Sequence, residues 1–232
     1  MSVKKVGVLG ASGKVGKEIN IILKEKGLIP FLGIYSNNKP QDYLNIAQDI
    51  TAELAGQVDL WIDFSLPESF EKFIPKIAKY NKPIVSGTTG ITEQQKTLLT
   101  QAAKTCPVLW SSNMSLGIAV LTEAMEAFKK IKHFDFQIEE LHHIRKKDAP
   151  SGTAITLQQK LTNVIEKEIP APLAIRGGGI FGIHKVWAMS EQEVITIEHQ
   201  ALNRRVFAEG AVFAGLKLAG RPAGLYGMKD VL

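Results

Sequence analysis

The run Val6-Gly7-Val8-Leu9-Gly10-Ala11-Ser12-Gly13-Lys14-Val15-Gly16 constrains the fold more than any other stretch. A short apolar strand enters a turn with glycine at every third position, and Val15, Ile19, Ile22 and Leu23 then recur at helical spacing. Strand, glycine turn and helix in this order open a dinucleotide-binding fold, because glycine lets backbone approach a pyrophosphate whose charge sits on the helix N-terminus. The spacing G-x-x-G-x-x-G departs from the commoner G-x-G-x-x-G, and the same glycines would also serve a tight strand-to-helix turn without a ligand.

The alternating pattern continues. Residues 29–35, 60–64, 83–86 and 108–110 read as strands and 69–80 and 92–104 as helices, the rhythm of a parallel α/β sheet. Strand ends in such sheets face the ligand crevice. Here they carry Asp63-Phe64-Ser65-Leu66-Pro67, Ser86-Gly87-Thr88-Thr89-Gly90 and Ser111-Ser112-Asn113-Met114-Ser115, whose hydroxyls suit ribose, carboxamide and substrate but also serve as helix caps. After Asn113 the rhythm stops. A helix over 115–130, a strand alternating through Phe134, Phe136, Ile138 and Glu140, and further strands over 175–189 and 193–200 lack crossover helices, which predicts an α+β open sheet. Within it Arg176-Gly177-Gly178-Gly179-Ile180-Phe181-Gly182 reads as a glycine-rich strand, since no helix follows. A helix over 204–220 then returns to the first domain. The expected fold class is α/β: a Rossmann-like dinucleotide-binding domain, 1–113 plus 204–232, with an inserted α+β open-sheet domain for substrate binding and oligomerisation, 114–203.

The chemistry is expected between Glu140 and Ala154, where a strand end, a cationic loop and a helix start meet. His142, His143, Arg145, Lys146 and Lys147 precede a helix capped by Ser151, and a helix N-terminus already carries about half a positive charge. An anion held by the N–H groups of Gly152 and Thr153 and by a lysine would relieve that arrangement, although a solvated basic loop explains the charges alone. The two His are possible proton donors near neutral pH. A shared metal is disfavoured because consecutive strand residues point to opposite faces, so no metal is expected.

Composition narrows the classes. With 45% hydrophobic and 22% charged residues the chain is that of an ordinary soluble globular protein, and its scattered net charge of +5 suits anionic small molecules as well as nucleic acid. One cysteine, Cys106, cannot close an intramolecular disulfide, no secretory pattern precedes the first strand, and no apolar run approaches about 18 residues, so a cytoplasmic protein without a membrane partner is expected.

The run His142-His143-Ile144-Arg145-Lys146-Lys147-Asp148-Ala149-Pro150-Ser151-Gly152-Thr153-Ala154 resembles the signature of the 4-hydroxy-tetrahydrodipicolinate reductases, also called dihydrodipicolinate reductases. The glycine turn, Asp63 to Pro67, Gly87 to Gly90, Asn113 to Gly117, Arg176 with Gly178 and His184, and the ending Asp230-Val231-Leu232 extend the likeness over nearly the whole chain. The resemblance implies NAD(P)H-dependent reduction of 4-hydroxy-tetrahydrodipicolinate, a small dicarboxylate, to tetrahydrodipicolinate in diaminopimelate and lysine synthesis, usually by a homotetramer joined through the inserted sheets. It assigns His142 as proton donor or acceptor and Lys146 as the other catalytic residue. His143, Ser151, Gly152, Thr153 and Thr89 would bind substrate. Cofactor contacts would come from Gly10, Ala11, Ser12, Gly13, Lys14 and Val15, from Ser36, from Gly87, Thr88 and Thr89, and from Ser111, Ser112, Asn113 and Met114. Lys14, Val15 and Met114 stand where the family usually has Arg, Met and Phe, and the segments after the second strand and between Lys167 and Arg176 are short.

Cofactor choice is read from the end of the second strand. NADH-preferring folds place a carboxylate there, but Tyr35-Ser36-Asn37-Asn38-Lys39 has none before Asp42. Ser36, Asn37, Lys39 and Lys14 would instead offer donors to a 2′-phosphate, so NADPH, NADH or both are expected, with a tilt to NADPH. A nucleotide-sensing regulator with a basic nucleic-acid-binding second domain is the rival reading. It leaves the His-His loop unexplained, and no helix-turn-helix or aromatic-studded basic face is evident.

Overall fold

The computed structural model describes residues 3–232; positions 1 and 2, at the start of the first expected domain, lie outside them. The chain divides into two compact units: one ends at Ser115 and resumes with Arg205–Leu232, and the other is Leu116–Arg204.

The first unit is built on a seven-stranded parallel sheet. Its elements are β1 (Lys5–Leu9), α1 (Lys14–Glu25), β2 (Ile29–Ile34), β3 (Asn45–Ala47), α2 (Ala52–Gly56), β4 (Leu60–Asp63), α3 (Pro67–Ala78), β5 (Ile84–Ser86), α4 (Glu93–Ala102) and β6 (Pro107–Trp110). The central strands are buried on both faces and read as continuous apolar runs for that reason, as in Leu60-Trp61-Ile62. Strand order is β11-β6-β5-β4-β1-β2-β3, with β11 the last strand in sequence (Gly224–Tyr226). The chain therefore leaves β1 in one direction for β2 and β3, then returns to the far side of β1 with β4. That reversal is the topological switch point at which open parallel sheets bind ligands.

The second unit contains α5 (Leu116–Ala124), a 3-10 segment (Met125–Ile131), β7 (Asp135–His142), α6 (Gly152–Ile165), β8 (Leu173–Arg176), β9 (Gly182–Met189) and β10 (Val194–Ala201). The mixed sheet has the order β10-β9-β7-β8. One face, with Phe136 and Ile138 of β7 and Val186 and Ala188 of β9, packs on Leu157, Leu161 and Val164 of α6. The other face carries Leu141, Ile183, Trp187 and Met189, none of them fully buried, flanked by exposed Leu173, Ile175 and Val194. α7 (Arg205–Leu218) then packs on α1 and on the sheet of the first unit.

Two expectations about the elements need correction. The stretch from Arg176 to Gly182 is not a strand: β8 ends at Arg176, Gly177 to Phe181 form a loop, and β9 begins at Gly182. Gly178 has φ +49°, which breaks the extended run. The helix expected over 115–130 tightens into a 3-10 segment at Met125. Met125, Phe128 and Ile131 recur every three residues, the repeat a 3-10 turn stacks on one edge. The short β3, α2 and β11 were not anticipated.

Candidate active site

In the first unit a cavity of about 430 Å³ opens at the C-terminal ends of β1, β2 and β4, lined by Gly10, Ser12, Gly13, Ser36, Gln48, Phe64, Ser65 and Lys72 among others. Gly10 has φ +75°, and a Cβ on it would stand 2.3 Å from Phe64 O, so only glycine lets the turn lie against the end of β4. Helix α1 begins after Gly13 without a side-chain cap and has no acidic residue in its first turn. Its leading N–H groups lack intrahelical partners, which suits a pyrophosphate. These residues fit a dinucleotide.

The other expected cofactor contacts are placed as follows. Ala11 is buried and its N–H is bonded to Ile34 O, whereas Lys14 is exposed and Val15 half-buried. Thr88 is buried, donates to Asp63 Oδ2 (2.8 Å), and accepts through its carbonyl from Trp110 Nε1 (3.1 Å). Thr89 is exposed and Gly87 half-buried. Ser111 Oγ donates to Asn113 O (2.7 Å), Ser112 is exposed, and Met114 is buried. Lys39 does not line the cavity that holds Ser36. It lines a second one of about 340 Å³ with Lys17, Asn20 and Tyr43, because the chain turns away at buried Pro40. Lys72, which the sequence did not single out, is the cation beside Ser36 and Gln48, and it pairs with Asp49 at 3.2 Å.

Asp63 does not face the crevice either. It is fully buried, accepts from Ser86 Oγ (2.7 Å), Thr88 Oγ1 (2.8 Å) and Ser65 N–H (3.0 Å), and so ties the ends of β4 and β5 together. Burial pushes its carboxyl up, against these donors. Asp63→Asn should therefore change stability by less than about 1 kcal/mol, while Asp63→Ala, which strands the buried donors, should cost about 2–4 kcal/mol in denaturant unfolding.

In the second unit β7 turns Phe136, Ile138, Glu140 and His142 to the buried face and ends in the cationic loop. Glu140 is fully buried. Its Oε1 accepts from Arg176 Nη2 (2.7 Å) and Ser151 N–H (3.0 Å), and its Oε2 from Arg176 Nη1 (3.0 Å), while His142 Nδ1 lies against Oε2. Arg176 also donates to Asp148 O (2.6 Å), tying the loop to β8. Burial raises the Glu140 carboxyl, but Arg176, His142 and the Ser151 N–H outweigh it and hold it below the usual carboxylate range. Burial lowers His142, opposed by Glu140 and assisted by Lys146 and Arg176. The His142 ring meets His184 edge-on at 5.3 Å.

The remaining expected residues gather at the same end of the sheet. Ser151 caps α6 through Ala154 N–H (3.2 Å), and its Oγ lies 3.3 Å from His184 Nε2. Gly152, exposed, and Thr153, half-buried, form the first turn. Lys146 is held by Asp148 at 2.9 Å with a quarter of its side chain exposed. His143 points away from His142, with Nδ1 buried and unpaired among the described residues. Those residues contain no His, Cys, Asp and Glu group able to hold a metal, and no helix long and apolar enough to cross a membrane.

A parallel sheet with a cavity at its switch point that fits a dinucleotide, joined in sequence to a unit bearing a buried His–carboxylate–Arg cluster, is the architecture of a two-unit dinucleotide-binding protein. Family models described as dihydrodipicolinate reductase, N-terminus and C-terminus, match residues 4–114 and 117–232, and the chain belongs to that family. It is 48% identical over 228 residues to the 4-hydroxy-tetrahydrodipicolinate reductase of Bdellovibrio bacteriovorus, covering 98% of this chain and 96% of that one. Against the enzyme of the same name from Xanthomonas axonopodis pv. citri the identity is 38% over 236 residues, covering 100% and 98%. Among solved structures, the dipicolinate-bound dihydrodipicolinate reductase of Paenisporosarcina sp. TG-14 shares the fold, with a TM-score of 0.85, 19% identity and full coverage of both chains.

Proposed function

We propose that this chain reduces 4-hydroxy-tetrahydrodipicolinate to tetrahydrodipicolinate with a nicotinamide cofactor, the 4-hydroxyl leaving as water, in diaminopimelate and lysine synthesis. The observation that carries the reading is the gathering, at one end of the second unit, of His142, Lys146 and the N-terminus of α6. The helix start at Gly152 and Thr153, with Lys146 and His143, would bind the substrate carboxylates. His142 would exchange a proton with the ring as charge develops there. The bound cofactor supplies the hydride, and Gly10, Ser12, Gly13 and Ser36 would hold it. Purified protein mixed with NADPH or NADH and freshly prepared substrate should consume the nicotinamide absorbance. No consumption with either cofactor contradicts the reading.

NADPH is the better cofactor in this account. No carboxylate lines the cavity near Ser36, and Lys72 stands within it. The kcat/KM for NADPH should equal or exceed that for NADH, and the advantage should shrink as salt rises, since the extra phosphate contact is screened. A preference of about tenfold or more for NADH would show that the ribose site is misplaced. The partly apolar outer face of the second sheet supports assembly into a homotetramer, which sedimentation would test.

A further inference from the structure

We propose that Glu140, clamped by Arg176, is the positioning residue that fixes the proton of His142 on Nδ1 and so makes Nε2 the nitrogen that exchanges with substrate. This rests on the reading of His142 as the proton-transfer group. Every group around the carboxylate donates: two guanidinium nitrogens, the Ser151 N–H and the imidazole. A carboxylate so surrounded is ionised and accepts only, so the imidazole nitrogen against it carries the hydrogen. The fork of Arg176 holds both oxygens in one plane, and the register of β7 and β8 sets Arg176 beside His142. The opposite ring nitrogen is left toward Gly182, where a Cβ would lie 3.1 Å from Nε2. A side chain there would crowd the nitrogen, and glycine leaves it room.

The doubly protonated ring gives its Nε2 proton to the substrate and remains as the neutral Nδ1–H ring, stabilised by Glu140 throughout. The charged and titratable groups facing the ring are Glu140 on β7, Lys146 in the loop, Arg176 on β8 and His184 on β9, with His199 of β10 paired beside His184. Burial pushes His184 down to about 4, so it is neutral near pH 7. Burial lowers His142 most; Glu140 is the group that favours its protonation, and the lysine and arginine add to the lowering.

The test joins ring-nitrogen NMR of histidine-labelled protein to the pH profile of kcat/KM, with His142→Asn to assign the signal. The wild-type neutral ring should carry its proton on Nδ1. In Glu140→Gln the His142 titration and the alkaline limb of kcat/KM should move together to lower pH by about one unit or more, while the cofactor KM stays within about twofold. A wild-type ring protonated on Nε2 overturns the proposal, and so does an unmoved titration in Glu140→Gln. If that variant does not fold, the wild-type spectrum decides. Failure of the reductase reading would be distinct: no turnover, whatever the spectrum shows.

Discussion

Replacing His142 by alanine is expected to lower kcat about 100-fold or more, with the cofactor KM within about twofold of the parent, because the role proposed for the group removed is proton transfer after binding. The side chain is mostly buried and held at one nitrogen by Glu140. Lys146→Ala should be at least as damaging. Its ammonium is poised by Asp148 and would trade that exposed partner for a substrate carboxylate, a charge-assisted bond that alanine cannot make. Steady-state kinetics on both variants decides the matter. An unchanged kcat in the first takes His142 out of the mechanism, and values of kcat and KM within about threefold in the second reduce the loop to a solvated basic surface.

Gly10→Ala should be the most damaging single methyl in the first unit. The residue must adopt φ +75°, which costs a non-glycine residue about 1–2 kcal/mol, and the new Cβ would stand 2.3 Å from a backbone oxygen at the end of β4. Backbone shifts to relieve such a contact cost about 1–3 kcal/mol more, so a loss of about 2–5 kcal/mol is expected in denaturant unfolding. Cofactor affinity should fall about tenfold or more, because the same shift opens the turn that faces the cavity. A variant with unchanged stability and cofactor Kd would show that the turn is looser than its geometry implies.

What the sequence made legible is what local periodicity can carry. The strand, glycine turn and helix of β1 and α1, the alternation of β7, and the Ser151 cap of α6 are written in adjacent residues, and the structure has all three. β3 and β11 are three residues each, too short for a period of two to register, and owe their existence to the neighbouring strands. The triple glycine after Arg176 forms a loop, because the lack of a following helix excludes a phosphate loop without implying a strand. In the site the residues of one continuous motif were visible, but their long-range partners were not. Glu140 stands two residues before His142 and so on its face, which alternation could have flagged. Its partner Arg176 is 36 residues away, and only the pairing of β7 with β8 brings them together. Asp63 likewise reads as a crevice residue in the sequence, although two hydroxyls from the end of β5 meet it in the interior.

The proposed activity has this chain move a hydride from nicotinamide to a cyclic imine with proton exchange at His142. Its most direct test is turnover of 4-hydroxy-tetrahydrodipicolinate with cofactor deuterated at the transferring position, followed by mass analysis of the ring product. The account predicts one deuterium on ring carbon per product molecule in the parent and a rate about 100-fold or more lower in His142→Ala. A product free of deuterium, or equal rates in the two proteins, would contradict it.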